Sequence, residues 1–168
     1  MERLWTPWRR AFIESAARPE AKPPSCFLCA NPAAGIERDR VHFILYRGER
    51  TYALLNLYPY NSGHLLVAPY QHTGNFAHLD PATSAEMAAL AQRCVAALTE
   101  VYRPHAFNLG MNLGEAAGAG VPDHLHTHVV PRWNGDTNFM PVLGSTKVLP
   151  ESLEQTFDRL RPHFQAGP

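Results

Sequence analysis

The stretch Asp123-His124-Leu125-His126-Thr127-His128-Val129-Val130-Pro131-Arg132-Trp133 contains three histidines at strict two-residue spacing. In a β-strand, alternate side chains share one face and lie about 6.6 to 6.8 Å apart, so this spacing predicts a strand with three imidazoles on one side. Leu125, Thr127 and Val129 would then point to the other side, toward a hydrophobic core. Because lysine, glutamate or threonine would serve equally well on a solvated face, a row of three imidazoles indicates a functional site.

The other elements are predicted outward from this strand. Runs of β-branched and aromatic residues bounded by turn residues predict five short strands, over residues 41–46, 51–57, 64–69, 106–112 and 124–131. Asp80-Pro81 combines an N-cap with proline at the first helical position, and the apolar spacing that follows predicts a long helix up to Pro104. Pro150 to Phe164 predicts a C-terminal helix. The expected fold is α+β, a five-stranded antiparallel sheet with one long helix and a C-terminal helix on one face.

The length and composition indicate a single domain. With 168 residues, the chain has room for one core. We expect an N-terminal arm (1–25), a core that contains the histidine row (26–131) and a C-terminal segment with a helix (132–168). Residues 16–34 are rich in alanine, proline and small polar groups, which predicts a connecting arm without a regular helix.

Charge and hydropathy narrow the function classes. Lysine plus arginine and aspartate plus glutamate both number 15, so no overall field favours nucleic acid as a partner. No apolar run approaches the roughly 18 residues that a membrane span needs, and the first residues lack the apolar stretch of a signal peptide. We therefore expect a cytoplasmic protein without a membrane partner.

Two chemistries suit a row of three histidines. They can ligate a catalytic metal together with ligands from other strands. Alternatively, one neutral imidazole can attack phosphorus and form a covalent phosphoramidate, while its neighbours fix its tautomer and contact the phosphate oxygens. The glycine-rich loop Gly114–Gly120 lies just before the row, and its backbone N–H groups could hold phosphate oxygens. The residues alone leave both chemistries open.

The three cysteines fall into two groups. Cys94 lies in the apolar stripe of the long predicted helix, which indicates a buried, inert thiol. Cys26 and Cys29 form a Cys-x-x-Cys pair, which indicates metal or redox chemistry rather than a disulfide framework. A zinc site would need two more ligands, typically histidines.

The segment from His124 to Val130 resembles the signature of the histidine triad (HIT) family, in which three histidines alternate with hydrophobic residues. Thr127 is the only polar departure. The stretch Leu54–Pro69 is similar to the nucleoside-binding segment of that family. Residues 131–139 and 4–9 resemble the branch of bacterial diadenosine tetraphosphate phosphorylases.

This resemblance implies an enzyme, a nucleotidyl transferase or hydrolase that cleaves dinucleoside polyphosphates through a covalent nucleotidyl-histidine and uses no organic cofactor. By position, His126 is the nucleophile, and His124 and His128 are the other catalytic histidines. The expected substrate-binding residues are Asn56, His64, Asn112, Gly118, Gly120 and Trp133. A hydrolase of nucleoside phosphoramidates or adenylate conjugates, and a nucleotide-binding protein without turnover, are the alternatives.

The resemblance also implies an acceptor, a metal and a partner. Many members carry glutamine or serine at the position of Gly120, so its identity here leaves inorganic phosphate and water both open as acceptors of the nucleotidyl group. Zinc-bearing members imply a structural zinc ion, for which the matching ligands are Cys26, Cys29, His72 and His124, with His78 the alternative to His72. Members pair two subunits through their sheets, so a homodimer with a larger combined sheet is expected.

Overall fold

The computed structural model describes residues 26–137 and 150–165. Its strands are β1 (Ile44–Arg47), β2 (Thr51–Leu55), β3 (Leu65–Pro69), β4 (Ala106–Gly110) and β5 (Thr127–Arg132). Its α-helices are α1 (Phe27–Ala33), α2 (Pro81–Tyr102) and α3 (Leu153–Gln165). The strands form one antiparallel sheet in the order β1-β2-β3-β5-β4. The predicted α+β class, with a five-stranded antiparallel sheet, a long helix and a C-terminal helix, is confirmed.

Some predictions concern residues outside the described ranges. These are the N-terminal arm (1–25) and residues 138–149 and 166–168 of the predicted C-terminal segment. Within the described ranges, no helix has the length and apolar character needed to cross a membrane.

The histidine row begins outside the sheet. The predicted strand over 124–131 starts only at Thr127, and β5 pairs with β3 over three residues, with His128 opposite Leu66. The backbone before Thr127 leaves the ladder because Leu125 N–H donates to the carbonyl of Thr73, 2.8 Å away in the loop after β3. Of the three histidines, His128 therefore lies in β5, and the other two lie in the segment leading into it.

The central strands β2 and β3 are buried on both faces of the sheet, and alternate residues of β2 enter different cores. On one face, Leu55 and Ala53 belong to a large cluster formed with α2 and α3. On the other, Tyr52 and Leu54 pack with Leu28 of α1. Full burial of a leucine contributes about 1.5 to 3 kcal/mol relative to exposure, so both faces stabilise the sheet. The two predicted helices, α2 and α3, lie on one face as expected, and α1, which was not predicted, lies on the other.

Helix α1 also contradicts the prediction that residues 16–34 lack regular helix. The helix lacks one internal hydrogen bond, because Pro32 has no N–H to donate to the carbonyl of Leu28 four residues earlier. The phenol of Tyr52 supplies the missing hydrogen bond, with its hydroxyl 2.6 Å from that carbonyl oxygen. Burial raises the pKa of Tyr52, so the hydroxyl keeps its proton and remains a donor. A tertiary contact thus permits a helix that local composition disfavours.

The long helix α2 begins and ends where the sequence predicts. The carboxylate of Asp80 accepts a hydrogen bond from the backbone N–H of Thr83 at 3.0 Å, and Pro81 occupies the first turn. Arg103 adopts a left-handed conformation at the C-terminus, with φ of 47°, just before Pro104. Cys94 is fully buried in α2, and burial raises the pKa of its thiol to about 12, as expected for an inert cysteine.

Candidate active site and metal centre

Four side chains from three separate segments meet beside the sheet. One ligand atom from each of Cys26, Cys29, His72 and His124 lies within 4.8 Å of the other three. Both cysteine sulfurs lie 3.4 Å from His124 Nδ1, Cys29 Sγ lies 3.4 Å from His72 Nδ1, and the two Nδ1 atoms are 3.2 Å apart. We call this group the Cys₂His₂ cluster. His78, the alternative ligand, lies in the short 3₁₀ turn Phe76–His78 and is not a member.

The dimensions of the Cys₂His₂ cluster fit a tetrahedral metal. With metal–sulfur bonds of about 2.3 Å and metal–nitrogen bonds of about 2.0 to 2.1 Å, tetrahedral angles place sulfur and nitrogen about 3.5 Å apart and two nitrogens about 3.3 Å apart. The observed separations of 3.4 and 3.2 Å agree with those values. Two thiols and two imidazoles form a donor set typical of zinc. All three cysteines are free thiols.

Hydrogen bonding prepares His124 for this role. Its Nε2–H donates to the carbonyl of Pro69 at 2.8 Å, which leaves the lone pair on Nδ1, the nitrogen that faces the cysteines. Burial is the main reason why the pKa of His124 is lowered, and a neutral imidazole is the form that binds metal. Burial and the neighbouring Cys26 raise the pKa of Cys29, an effect that a bound cation would reverse.

His126 has the hydrogen bonding of a nucleophile. Its Nδ1 lies 2.9 Å from the carbonyl oxygen of His124, and since a carbonyl can only accept, the proton resides on Nδ1. Nε2 therefore carries the lone pair. The residue is 7% exposed, and burial lowers its pKa although the hydrogen bond to His124 opposes this effect. Its neutral form, the one able to attack an electrophile, is favoured.

A relay of hydrogen bonds fixes the proton of His128. The backbone N–H of Tyr60 donates to Nδ1 of His64 at 3.1 Å, so the neutral His64 ring carries its proton on Nε2. Nε2 of His64 lies 2.9 Å from Nδ1 of His128 and donates to it. The neutral His128 ring therefore keeps its own proton on Nε2, where it can donate to an anionic oxygen.

The rings of the second and third histidines are neighbours. The centroids of His126 and His128 are 5.0 Å apart at an interplanar angle of 64°. The ring of Tyr60 stacks on His128 with centroids 5.8 Å apart and an angle of 15°. No motif or spacing in the sequence marks Tyr60 as a site residue. Its one signal is its place in the turn four residues before His64, inside the segment identified by resemblance as nucleoside-binding.

These histidines line a cleft of about 270 Å³. Its apolar walls are formed by Phe27, Leu55, Leu57, Tyr58, Leu66 and Val121. Its polar lining is formed by Asn56, Gly118, Gly120, His126 and His128, together with Tyr60. A concave site with apolar walls and a few convergent polar groups is typical of small-molecule binding.

Three predicted substrate-binding residues do not line the cleft. His64 lies behind His128, where it acts through the relay. Asn112 donates from its side-chain amide to the carbonyl of Gly118 at 3.3 Å, which ties down the glycine loop. Trp133 follows β5, where its backbone N–H donates to the carboxylate of Asp136 at 3.2 Å.

Gly118 is the glycine of this loop whose conformation matters most for the cleft. Its φ of 84° lies in the left-handed region, which L-residues adopt only with strain. A Cβ at this position would meet no atom within 4 Å, so the backbone conformation and not a lack of space requires glycine.

Three alternating histidines that lead into a strand of an antiparallel sheet, beside a Cys₂His₂ cluster, indicate a protein of the histidine triad class. The model of the HIT domain matches residues 37–135, and the chain belongs to this family. It is 42% identical to the AP-4-A phosphorylase of Mycobacterium tuberculosis over 158 residues, which cover 93% of this chain and 80% of the mycobacterial protein.

Solved structures agree with this assignment. The fold is similar to that of a Zn-bound histidine triad family protein from Mycobacterium smegmatis, with a TM-score of 0.67 and 32% identity over 84% of this chain and 94% of the other. It is also similar to a hypothetical histidine triad nucleotide-binding protein from Sulfolobus tokodaii, with a TM-score of 0.65 and 28% identity over 83% and 92% of the two chains.

Proposed function

We propose that this protein cleaves dinucleoside polyphosphates, with diadenosine tetraphosphate as the expected substrate, by nucleophilic attack of His126. The observation that carries the proposal is the hydrogen bond from His126 Nδ1 to the carbonyl of His124, which leaves the lone pair on Nε2 of a neutral imidazole in the cleft. The 42% identity to the AP-4-A phosphorylase of Mycobacterium tuberculosis supports the substrate class.

The reaction has two substitutions at one phosphorus. Nε2 of His126 forms a bond to the α-phosphorus while the bond from that phosphorus to the bridging oxygen breaks, so that ATP leaves and AMP remains on the histidine. Inorganic phosphate then attacks the same phosphorus and releases ADP, or water attacks and releases AMP. The carbonyl of His124 stays bonded to Nδ1–H and stabilises the positive charge that the ring acquires when Nε2 is substituted.

The neighbouring groups would bind and orient the substrate. His128 donates from Nε2 to an oxygen of the reacting phosphate, a charge-assisted hydrogen bond. Gly120 lines the cleft, and its backbone N–H is the proposed donor to a further phosphate oxygen, whereas the N–H of Gly118 donates to the carbonyl of Glu115 at 2.9 Å. Asn56 is the proposed partner of the ribose hydroxyls, and the apolar walls of the cleft suit the base. His64 is a positioning residue, since it acts through His128.

We further propose that the Cys₂His₂ cluster holds a structural zinc ion. Four protein ligands leave no position for a reactive water, so the ion would supply rigidity rather than Lewis-acid chemistry. His124 contributes a ring nitrogen to the cluster and its carbonyl to His126, so the metal site would restrain the group that orients the nucleophile. The Zn-bound relative from Mycobacterium smegmatis supports this proposal.

Intact-mass spectrometry after brief exposure to diadenosine tetraphosphate tests the nucleophile. We expect an added AMP that peptide mapping assigns to His126, and no adduct on a His126→Ala variant. His78→Ala, which removes an exposed histidine outside the cleft, is the matched control and should form the adduct normally. Turnover by His126→Ala at the wild-type rate would refute the mechanism.

The products separate the possible acceptors. With phosphate present, ADP plus ATP identifies phosphorolysis, whereas AMP plus ATP identifies hydrolysis. An adduct formed from a nucleoside phosphoramidate, without turnover of the dinucleotide, would assign the phosphoramidase activity instead.

We also propose a homodimer that forms through the edge of the sheet at β4. Within the part of the chain that the structure describes, β4 pairs with β5 alone, and its side chains are largely exposed, with Leu109 at 55%. An unpaired edge with an exposed leucine is suited to pairing with a second copy. Light scattering should give twice the chain mass for the wild type and for Ile36→Glu, a control at an exposed position elsewhere, but the monomer mass for Leu109→Glu. A monomeric wild type would refute the proposal.

A further inference from the structure

The Cys₂His₂ cluster and the cleft share one helical turn. Phe27 is the first residue of α1 and lies between the two cysteines of the cluster in sequence. Its side chain is half-buried and forms part of the apolar wall of the cleft. The position of this ring therefore depends on how the first turn of α1 is held.

Few contacts hold that turn. Helix α1 has seven residues, too few to be stable in isolation, and Pro32 interrupts its internal hydrogen bonding. Within the described residues, the helix is anchored at its C-terminal end by a hydrogen bond from the Arg47 guanidinium to the carbonyl of Pro32. Its first turn is anchored by the buried side chain of Leu28, by the hydrogen bond from Tyr52 to the carbonyl of Leu28, and by the two cysteine sulfurs next to His72 and His124. The two cysteine sulfurs restrain the turn firmly only when a bound ion links all four ligands.

We propose that occupancy of the Cys₂His₂ cluster sets the affinity of the cleft for a nucleoside base through Phe27, so that metal and nucleotide binding are coupled. The inference rests on the proposed function, because it takes the occupant of the cleft to be a nucleotide. A bound ion holds Cys26 and Cys29 against the histidines and so keeps the Phe27 ring in the wall. Loss of the ion frees the first turn and removes an aromatic surface on which a planar base packs.

The coupling has a predictable size and is reciprocal. Aromatic packing against a base, measured by alanine substitution, corresponds to about fivefold to 150-fold in affinity. Removal of the ion should weaken nucleotide binding by a factor in that range. By linkage, a saturating nucleotide must strengthen metal binding by the same factor.

Isothermal titration of the full-length protein with AMP, in zinc-loaded and chelator-stripped forms, tests the first half of the linkage. For the wild type we expect the stripped form to bind AMP about fivefold to 150-fold more weakly. Phe27→Ala should bind weakly when loaded and lose nothing further when stripped. Phe76→Ala removes an aromatic ring that is 43% exposed and outside the cleft, so it should behave like the wild type.

Competition for zinc with a chromophoric chelator, with and without saturating AMP, tests the second half and does not depend on activity. AMP should raise the zinc affinity of the wild type and of Phe76→Ala, and leave that of Phe27→Ala unchanged. Circular dichroism of each stripped protein establishes whether the fold persists.

Two results would overturn the inference. One is equal coupling of zinc and AMP binding in the wild type and in Phe27→Ala. Unfolding of the metal-free chain would produce this result, because it abolishes AMP binding in both proteins. The other is an AMP affinity that does not depend on zinc in the wild type. The failure of the proposed function looks different, since the loaded wild type would then bind no AMP and form no adduct at His126.

Discussion

Replacing His64 tests the relay that fixes the proton of His128. Leucine at this position has a similar size but removes the hydrogen bonds of the imidazole, which accepts from the Tyr60 N–H and the Asn56 amide and donates to His128. Glutamine can restore them, because its carbonyl oxygen can accept from Tyr60 and Asn56 and its amide can donate to His128. The pair His64→Leu and His64→Gln therefore separates the hydrogen bonds from the volume of the side chain.

The size of the effect follows from burial. His64 is 1% exposed, and a buried polar group left without a partner costs about 1 to 3 kcal/mol. In His64→Leu the Nδ1 atom of His128 loses its donor, so the proton that should contact the phosphate is no longer held on Nε2. If the transition state is destabilised by this amount relative to the free enzyme and substrate, kcat/KM decreases by about 5-fold to 150-fold. The orphaned N–H of Tyr60 adds a loss of about 1 to 3 kcal/mol to the free energy of unfolding.

Two measurements check this prediction together. The rate of nucleotidyl transfer from diadenosine tetraphosphate reports kcat/KM, and nitrogen-15 NMR of the His128 ring reports which nitrogen carries the proton. We expect His64→Leu to lose activity and to show a mixture of His128 tautomers, while His64→Gln stays close to the wild type in both. A leucine variant with the wild-type rate and with the proton still on Nε2 would refute the relay, as would equal losses in both variants.

Three further predictions concern the metal, a partly exposed ion pair and the glycine loop. Chelation of zinc, or Cys29→Ser, should lower the melting temperature by roughly 6 to 12 °C in calorimetry, assuming a contribution of about 3 kcal/mol, while His78→Ala should leave it unchanged. The Arg132 guanidinium, 2.6 Å from Asp136, holds the pKa of that carboxyl well below its usual range. The ion pair contributes to the free energy of unfolding above about pH 4, and this contribution is lost as the pH falls through the lower pKa of Asp136 in the folded state. In urea denaturation, Asp136→Asn should therefore have a free energy of unfolding about 1 kcal/mol below that of the wild type at pH 7, and the difference should shrink in acid. Gly118→Ala, at a φ of 84°, should cost about 1 to 2 kcal/mol in the loop and raise KM in steady-state kinetics; an unchanged KM would exclude a role for this loop in binding.

The sequence by itself determined the parts of this protein that neighbouring residues encode. The cap at Asp80 and the apolar spacing after it predicted α2, because a helix start depends on a side chain and a backbone N–H three residues apart. The two-residue spacing of the histidines indicated one functional row. The bond from His126 to the carbonyl of His124 lies within that row, so the proposed nucleophile was within reach of sequence reasoning.

The resemblance to the family indicated the four cluster ligands, but only the tertiary structure established that their ligand atoms lie at tetrahedral distances. These residues come from three segments, and no local pattern fixes the distances between them. Helix α1 likewise depends on Tyr52, a residue of another element whose hydroxyl replaces the hydrogen bond that Pro32 cannot make.

The tautomer of His128 was also decided by a tertiary contact, since its ring accepts a hydrogen bond from His64 of a neighbouring segment. The ring of Tyr60, from the same segment, stacks on it. Periodicity and capping act over a few residues, and so the sequence predicts them. Protonation sites and metal geometry depend on which atoms the folded chain brings within about 3 Å of each other, and only folding determines that.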